Sequence, residues 1–316
     1  MPRLGGPTVR RRLLRLLPAL GLHVVDLAAG SVVLSRSPGT RARPVLPRAF
    51  LVEAGREDRR PPLEVTALGE EAALVAPGRL GWDQALLAER KALQALLPHV
   101  LAAQLTKYEV NCVLDVGANR GQYGRLLRRA GYTGRIVSFE PVPPEFELLE
   151  QAAAGDPEWK VHPVALGSTD GSLEMHVTPG TLSSPLPPTS LGEESFYRLR
   201  HTTRAVVPVR RLDGMLDEIL RDLPDPRPFL KMDTQGFDVE VFRGLGERAR
   251  EFVGLQSEVA LLQLYQGMPR LPEALGVYEE AGFEVSGMYP VTRQAATGRV
   301  LEFDCLMVRA DSLTGT

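Results

Sequence analysis

The stretch VLDVGANRGQ, residues Val113–Gln122, sets Asp115, Gly117, Asn119 and Gly121 at alternate positions. Such a run buries little apolar surface, and its glycines let the backbone approach something closely at φ values other residues avoid. Three more carboxylates sit at or near the ends of later apolar runs: Glu140 after RIVSF, Asp233 after PFLKM, and Glu258 in FVGLQSEV. Gln235, Gly236 and Asp238 follow Asp233 closely.

Four carboxylates on neighbouring strand ends would concentrate negative charge at some cost, unless a cation, a metal or many hydroxyls answer it. A dinucleotide turn would read G-x-G-x-x-G and set a helix N-terminus against a pyrophosphate. The spacing here is D-x-G-x-N-x-G. An acid in that turn would repel a phosphate and suit an ammonium or a sulfonium. Glu140, about twenty residues on, is placed to accept hydrogen bonds from both hydroxyls of a ribose. A ribose joined to a cationic amino acid describes S-adenosylmethionine. Tight strand–helix packing with no ligand, and a nicotinamide cofactor, are the competing readings.

The elements that must position these residues follow from periodicity. CVLDV, RIVSFE, WKVHPVAL, LEMHV, VVPVRR, PFLKMD and FVGLQSEV read as strands. GQYGRLLRRAG, PPEFELLEQAAAG, DVEVFRGL and LPEALGVYEEAG read as helices, several closed by glycine. Strands alternating with helices imply a mostly parallel sheet covered on both faces. FEVSGMYPV and RVLEFDCLMVR close the chain as a hairpin. In such sheets ligands bind beyond the carboxyl ends of the strands, near the topological switch point. Residues 83–105 repeat Leu and Ala at helical spacing, with Pro98 expected to kink or break the helix. The segment from Thr178 to about Arg204 is too long for a plain connection and reads as a lid, with Ser183 and Ser184 near the pocket.

The formal charge of −2 gives no reason to expect nucleic acid or an acidic membrane as partner. The two cysteines, Cys112 and Cys305, each lie in a strand-like run and read as buried free thiols. No apolar run reaches the ~18 residues of a membrane helix. Near the start, Arg10, Arg11, Arg12 and Arg15 precede an apolar stretch broken by Pro18 and Gly21. That reads as an amphipathic helix rather than a secretory signal, so a cytoplasmic protein is expected, with a peripheral membrane contact as the weaker reading. Residues 1–105 are taken as an accessory region with short strands and a lead-in helix, and 106–316 as the main domain.

VLDVGANRGQYGRLLRRAGYTGRIVSFEPVP, then PFLKMDTQGFDVEVFRG, then EFDCLMVR, occur in this order and resemble the FkbM family of S-adenosylmethionine-dependent methyltransferases. The likeness covers roughly residues 108 to 310. It implies a Rossmann-like sheet of seven strands and O-methylation of a small molecule, often a natural-product hydroxyl or a sugar. Asp115, Gly117, Asn119 and Gly121 match the family's first cofactor motif, and Glu140 its ribose-binding acid. At the third strand end Ala165 and Leu166 replace the usual polar side chain. That leaves adenine to backbone groups or to Asp170.

Methyl transfer from a sulfonium is a direct displacement, so alignment and exclusion of water dominate. An alcohol also needs a base within reach, for which Asp233, His201 and Glu258 are the candidates. Asp233 and Glu258 are also a minimal ligand pair for a hard cation such as magnesium. Asp238 reads alternatively as a helix cap, Asp304 as part of a core network, and Tyr265 as a pocket wall or a loop anchor. The expected activity is an O-methyltransferase acting on a small polyhydroxylated molecule such as a sugar or polyketide. Methylation of nitrogen or a peptide carboxylate, and a non-catalytic cofactor-binding scaffold, are the alternatives. Self-association is left open.

Overall fold

The computed structural model describes residues 80–294 and 296–313, together with six short strands nearer the N-terminus. The basic segment around Arg10–Arg15 lies outside the described residues. The chain divides into two compact units, Met1–Ala85 and Leu86–Thr316. In the first, β1 (His23–Asp26) pairs antiparallel with β2 (Val32–Ser35), β3 (Arg41–Leu46) with β4 (Ala49–Glu53), and β5 (Leu63–Ala67) with β6 (Ala73–Pro77).

The second unit is built on a seven-stranded sheet. Its strands are β7 (Cys112–Val116), β8 (Arg135–Phe139), β9 (Trp159–His162), β13 (Pro228–Met232), β14 (Gly254–Ala260), β15 (Phe283–Arg293) and β16 (Val300–Arg309), in the order β15-β16-β14-β13-β7-β8-β9. All neighbours from β14 to β9 are parallel, while β16 runs antiparallel between β14 and β15. Chain order reverses between β7 and β13, so the crevice of this α/β sheet opens there. This is the Rossmann-like sheet with a terminal hairpin that the alternating pattern predicts.

Alternation along β7 sorts the two faces. Cys112, Leu114 and Val116 pack with Leu216, Val239, Phe242 and Tyr278 on one side. Val113 packs on the other with Leu101, Leu105, Leu127 and Leu149. Helices α1 (Trp82–Lys107), α2 (Gln122–Arg129) and α3 (Pro143–Ala153) cover that second face. Both cysteines are fully buried, and burial pushes their thiols up to about 12, as inert core residues.

Three local expectations are corrected. Helix α1 continues through Pro98 without a break. Proline removes one N–H and crowds the carbonyl four residues back, but Gln94 is exposed, where that carbonyl can be hydrated. WKVHPVAL is two strands, not one. Pro163 has no N–H to donate, and the chain leaves the main sheet there. Beyond it β10 (Ala165–Leu166) joins β11 (Gly171–Val177) and β12 (Thr203–Arg210) in a separate three-stranded sheet of order β10-β12-β11. The long loop contains α4 (Ser190–Ser195) and a 3-10 turn at Tyr197–Arg200. Leu182, Leu186 and Phe196 anchor it on a cluster of Leu264, Tyr265 and Met268.

The two strands flanking the crevice are tied by charge. Lys231 on β13 lies directly opposite Asp115 on β7. Its Nζ is 3.0 Å from Asp115 Oδ1, and Asp115 is completely buried. Ser138 Oγ donates to Asp115 Oδ2 at 3.1 Å, and Trp159 Nε1 donates to Ser138 at 3.0 Å. Burial alone would push the Lys231 ammonium down. The carboxylates of Asp115 and Asp233 outweigh it and hold the group above its ordinary value. At the strand ends Asp233 N donates to Val116 O at 3.1 Å. Gly117 sits there at φ 73°, and a Cβ would lie 2.0 Å from the Asp233 carbonyl oxygen. No side chain fits.

Two outcomes are expected. Gly117→Ala combines a left-handed φ, worth roughly 1–2 kcal/mol, with a backbone clash, so it should cost more than about 2 kcal/mol in urea denaturation. A loss under about 0.5 kcal/mol would show that the strand ends are not held this close. Lys231→Met strands a buried carboxylate and should cost about 3–5 kcal/mol, most of it recovered in Lys231→Met/Asp115→Leu. A double variant no more stable than the single one would contradict the pairing.

Candidate active site

A cavity of ≈ 510 Å³ opens at the carboxyl ends of β7, β8, β13 and β14. Its first half is built by the β7–α2 turn and the end of β8. Glu140 is buried and faces the cavity. The backbone N–H of Val142 donates to its Oε1 at 2.9 Å, and that of Asn119 to its Oε2 at 2.8 Å. Burial pushes this carboxyl up to about 7 against those two hydrogen bonds. Each oxygen is thus held in place and still has a lone pair to offer. Asn119 sits at φ 50° in the left-handed region that asparagine tolerates. Its side chain donates to Gly180 O at 2.7 Å, tying the cofactor turn to the long loop. Gly117 lines the cavity, whereas Gly121 is buried behind it, where a Cβ would press on Leu149 and Trp159 at 3.1 Å.

Asp115 is the main departure from expectation. It does not line the cavity. Its carboxylate is spent on Lys231 and Ser138, so it faces no ligand. Lys231 reaches the cavity instead, with its Nζ 3.4 Å from Gly117 O and 5.2 Å from the ring centre of Tyr123. Ala165 lines the cavity with Val164, Leu166 and Phe237 as an apolar wall. Asp170 is elsewhere. Its carboxylate receives the backbone N–H of Arg211 at 2.7 Å and braces a turn.

The second half of the cavity is acidic. Asp233 and Glu258 both line it and are bridged by one side chain. Gln235 Nε2 donates to Asp233 Oδ1 and to Glu258 Oε2, each at 3.0 Å. A primary amide has two N–H bonds, and each finds a carboxylate. Its carbonyl oxygen accepts from the Tyr265 hydroxyl at 2.9 Å. Tyr265 is buried and so anchors the bridge from behind. Asp238, fully hydrogen-bonded, belongs to the scaffold. Thr234 N, Thr234 Oγ1, Ser257 Oγ and Glu258 N all donate to it, between 2.5 and 3.0 Å. It fixes Glu258 by holding that residue's own N–H.

Burial, then the charges of Glu302, Asp233, Asp304 and Asp238, raise the Glu258 carboxyl well above its ordinary value. Burial likewise pushes Glu302 up to about 7 and Asp304 to about 6, with Asp233 adding to both. Both line the cavity from β16. Among the described residues no group of three or more His, Cys, Asp and Glu is arranged to hold a metal ion. The Gln235 amide already sits between the two carboxylates, bonded to one oxygen of each, and the other Asp233 oxygen lies 3.6 Å from the Lys231 ammonium. Asp233 and Glu258 therefore do not fit a resident magnesium.

His201 stays outside the cavity. It is exposed, edge-on to the Tyr197 ring with centroids 5.1 Å apart. Ser183 lines the cavity, and its hydroxyl is engaged with Thr178 N and O at 3.1 and 3.3 Å. Ser184 is buried and donates to Gln235 O at 2.7 Å. The long loop, through Thr181, Leu182, Pro185 and Phe196, forms one wall.

Reading the sequence alone gives no role to Lys231, Gln235 or Glu302. Signals for them exist. Lys231 stands two residues before Asp233 and so shares its face of the strand. In VLEFDCLMV, Glu302 and Asp304 interrupt an apolar strand at the same two-residue spacing. Gln235 shows nothing in sequence, because its role depends on a left-handed backbone at φ 54° that turns it back between two strands.

The family model of the methyltransferase FkbM domain matches residues 115–285. A curated relative, the methyltransferase sdnD of Sordaria araneosa, is 23% identical over 198 residues, covering 55% of this chain and 74% of its own. Among solved structures, magnesium protoporphyrin IX methyltransferase from Synechocystis PCC 6803, with bound SAM, is 10% identical. It aligns over 74% of this chain and 86% of its own, with a TM-score of 0.39. Ribosomal protein L11 methylase from Lactobacillus delbrueckii subsp. bulgaricus is 11% identical over 68% of this chain and 79% of its own, with a TM-score of 0.34. With the domain match spanning more than half the chain and both ends of the cavity in place, the chain belongs to the FkbM methyltransferase domain family.

Proposed function

We propose that this protein transfers a methyl group from S-adenosylmethionine to a hydroxyl of a small polyhydroxylated molecule. The observation that carries the reading is the two-ended cavity: a backbone-held carboxylate, Glu140, at one end, and the Gln235-bridged pair Asp233 and Glu258 at the other. Membership of a methyltransferase family supports it. The catalytic domain is assigned to the second unit, Leu86–Thr316, whose core includes Leu101 and Leu105, and Met1–Ala85 is assigned as an accessory region, so the boundary lies before the lead-in helix's core residues and not at residue 105.

The residues present fit the cofactor. Glu140 accepts from ribose hydroxyls, the wall of Val164, Ala165 and Leu166 takes the base, and the open turn at Gly117 lets the chain lie on bare backbone. Asp233, with 43% of its side chain exposed, faces the positive end that Asp115 does not reach. Bound there, S-adenosylmethionine would supply a methyl group on a sulfonium, which leaves as a neutral thioether while the acceptor oxygen bonds to the methyl carbon. Glu258 takes the hydroxyl proton. Its raised carboxyl value makes it the stronger base of the two, and Gln235 fixes its direction. Leu182 and Phe196 on the long loop exclude water from the reacting atoms. The formal charge of −2, with Lys231 as the cation among the described cavity-lining residues, favours a small-molecule acceptor over nucleic acid. No helix among the described residues is long and apolar enough to cross a membrane. We assign the enzyme to the cytoplasm.

Calorimetric titration with S-adenosylhomocysteine should show binding near the micromolar range, weakened at least tenfold in Glu140→Ala. A folded wild type that binds none would remove the reading. Glu258→Gln should retain that binding and lose about 10²–10⁴ in turnover. The base must be ionised to act, and its carboxyl lies above the ordinary glutamate value, so wild-type turnover falls as pH drops through that raised value. An acid limb at the ordinary value of about 4.3 would exclude Glu258 as the base.

A further inference from the structure

The acidic end of the cavity holds more negative charge than proton transfer needs. Asp233 and Glu258 are accounted for; Glu302 and Asp304 are not. Both sit on β16, where two-residue spacing turns them to one face, with Asp304 opposite Glu258 and Glu302 opposite Ala260. Glu302 lines the cavity yet is only 4% exposed, and its buried Oε1 has no hydrogen-bond partner, while Thr292 bonds to the side chain. A buried acceptor left unmade is rare in a folded protein, which marks this oxygen as waiting for a donor.

No protein cation answers it. Lys231 is the only Lys, Arg or His among the described residues lining the cavity, and it is engaged by Asp115 at 3.0 Å and Asp233 at 3.6 Å. The cofactor's own positive charge faces Asp233 at the end of β13, two strand spacings from β16, about 10 Å, and is answered by that carboxylate. The methyl donor therefore lies over β7 and β13, and the acceptor over β14 and β16. Hydroxyls could donate to these carboxylates but would leave their charge uncompensated. An ammonium brings both a charge and three N–H donors.

We propose that Glu302 and Asp304 form a cation subsite, and that the methyl acceptor is an amino-substituted polyol held there by its ammonium while a nearby hydroxyl faces Glu258. The amine is a handle, protonated and not nucleophilic. The proposal rests on the methyltransferase reading above and names the acceptor class within it.

The test titrates protein already saturated with S-adenosylhomocysteine. The probes are glucosamine, galactosamine and mannosamine, each beside its N-acetyl form, and magnesium chloride. At least one amine should bind, its N-acetyl form at least tenfold more weakly. Glu302→Gln, which keeps the side chain's shape, should weaken amine binding at least tenfold and leave S-adenosylhomocysteine affinity unchanged; Asp304→Asn should do the same. The subsite is overturned if amine and N-acetyl forms bind alike, if no amine binds, if magnesium displaces the amine at equal concentration, or if both variants bind the amine like wild type. Those results leave the methyltransferase reading standing. Failure of S-adenosylhomocysteine to bind at the outset would remove that reading itself, and the subsite with it.

Discussion

The ion pair between Asp115 and Lys231 is the constraint on which the site depends. It joins β7 to β13 at the place where the order of the sheet reverses, and both partners are buried. A buried pair of this kind is weak evidence for net stability, but removing one partner leaves the other uncompensated, so the two strand positions must stay opposite each other. Here it fixes which carboxylates face the cavity. With Asp115 neutralised from within, the turn at Gly117 presents backbone rather than charge, and the Lys231 ammonium is held at the cavity edge between Asp115 and Asp233. The hydrogen bonds at the strand ends and the close approach of Gly117 to Asp233 then follow from the same register.

From that fixed crevice the cavity acquires two chemically different ends. One is a carboxylate held by two backbone donors beside an apolar wall. The other is a set of acids organised by a single amide, with Tyr265 behind it and Asp238 holding the strand below. Gln235 is central because it satisfies two carboxylates without neutralising either. That keeps the acids close together and leaves their combined charge for a ligand to answer. Burial raises Glu258, Glu302 and Asp304 together, as expected where like charges share a poorly solvated space.

Much of this was legible in the sequence, for identifiable reasons. The parallel strands are short apolar runs bounded by glycine-closed helices, so element types and their order could be read directly. Glu140 could be placed at the cavity because an acid expected to bind ribose follows the turn at a set distance. Asp115 was expected to face the positive end of a ligand: spacing located it, but a partner 116 residues later, Lys231, consumes it. Such a pairing is invisible without the strand order. Pro163 ending β9 early was missed because the strand beyond it pairs in a three-stranded sheet outside the main one, and the helix in the long loop because the loop is anchored on the distant cluster of Leu264, Tyr265 and Met268. His201, prominent as a titratable residue in a polar loop, proves to be an exposed neighbour of Tyr197.

The central claim is that the nucleoside end of the cofactor lies at Glu140 and its sulfur end between Asp233 and Glu258, with Asp115 sealed beneath. A crystal structure of the protein grown with S-adenosylhomocysteine tests this most directly. The account predicts ribose oxygens within hydrogen-bond distance of Glu140, the sulfur over the end of β13, and Asp115 still paired with Lys231. A ligand that draws Asp115 off Lys231, or that lies with its ribose at the acidic end, would contradict it.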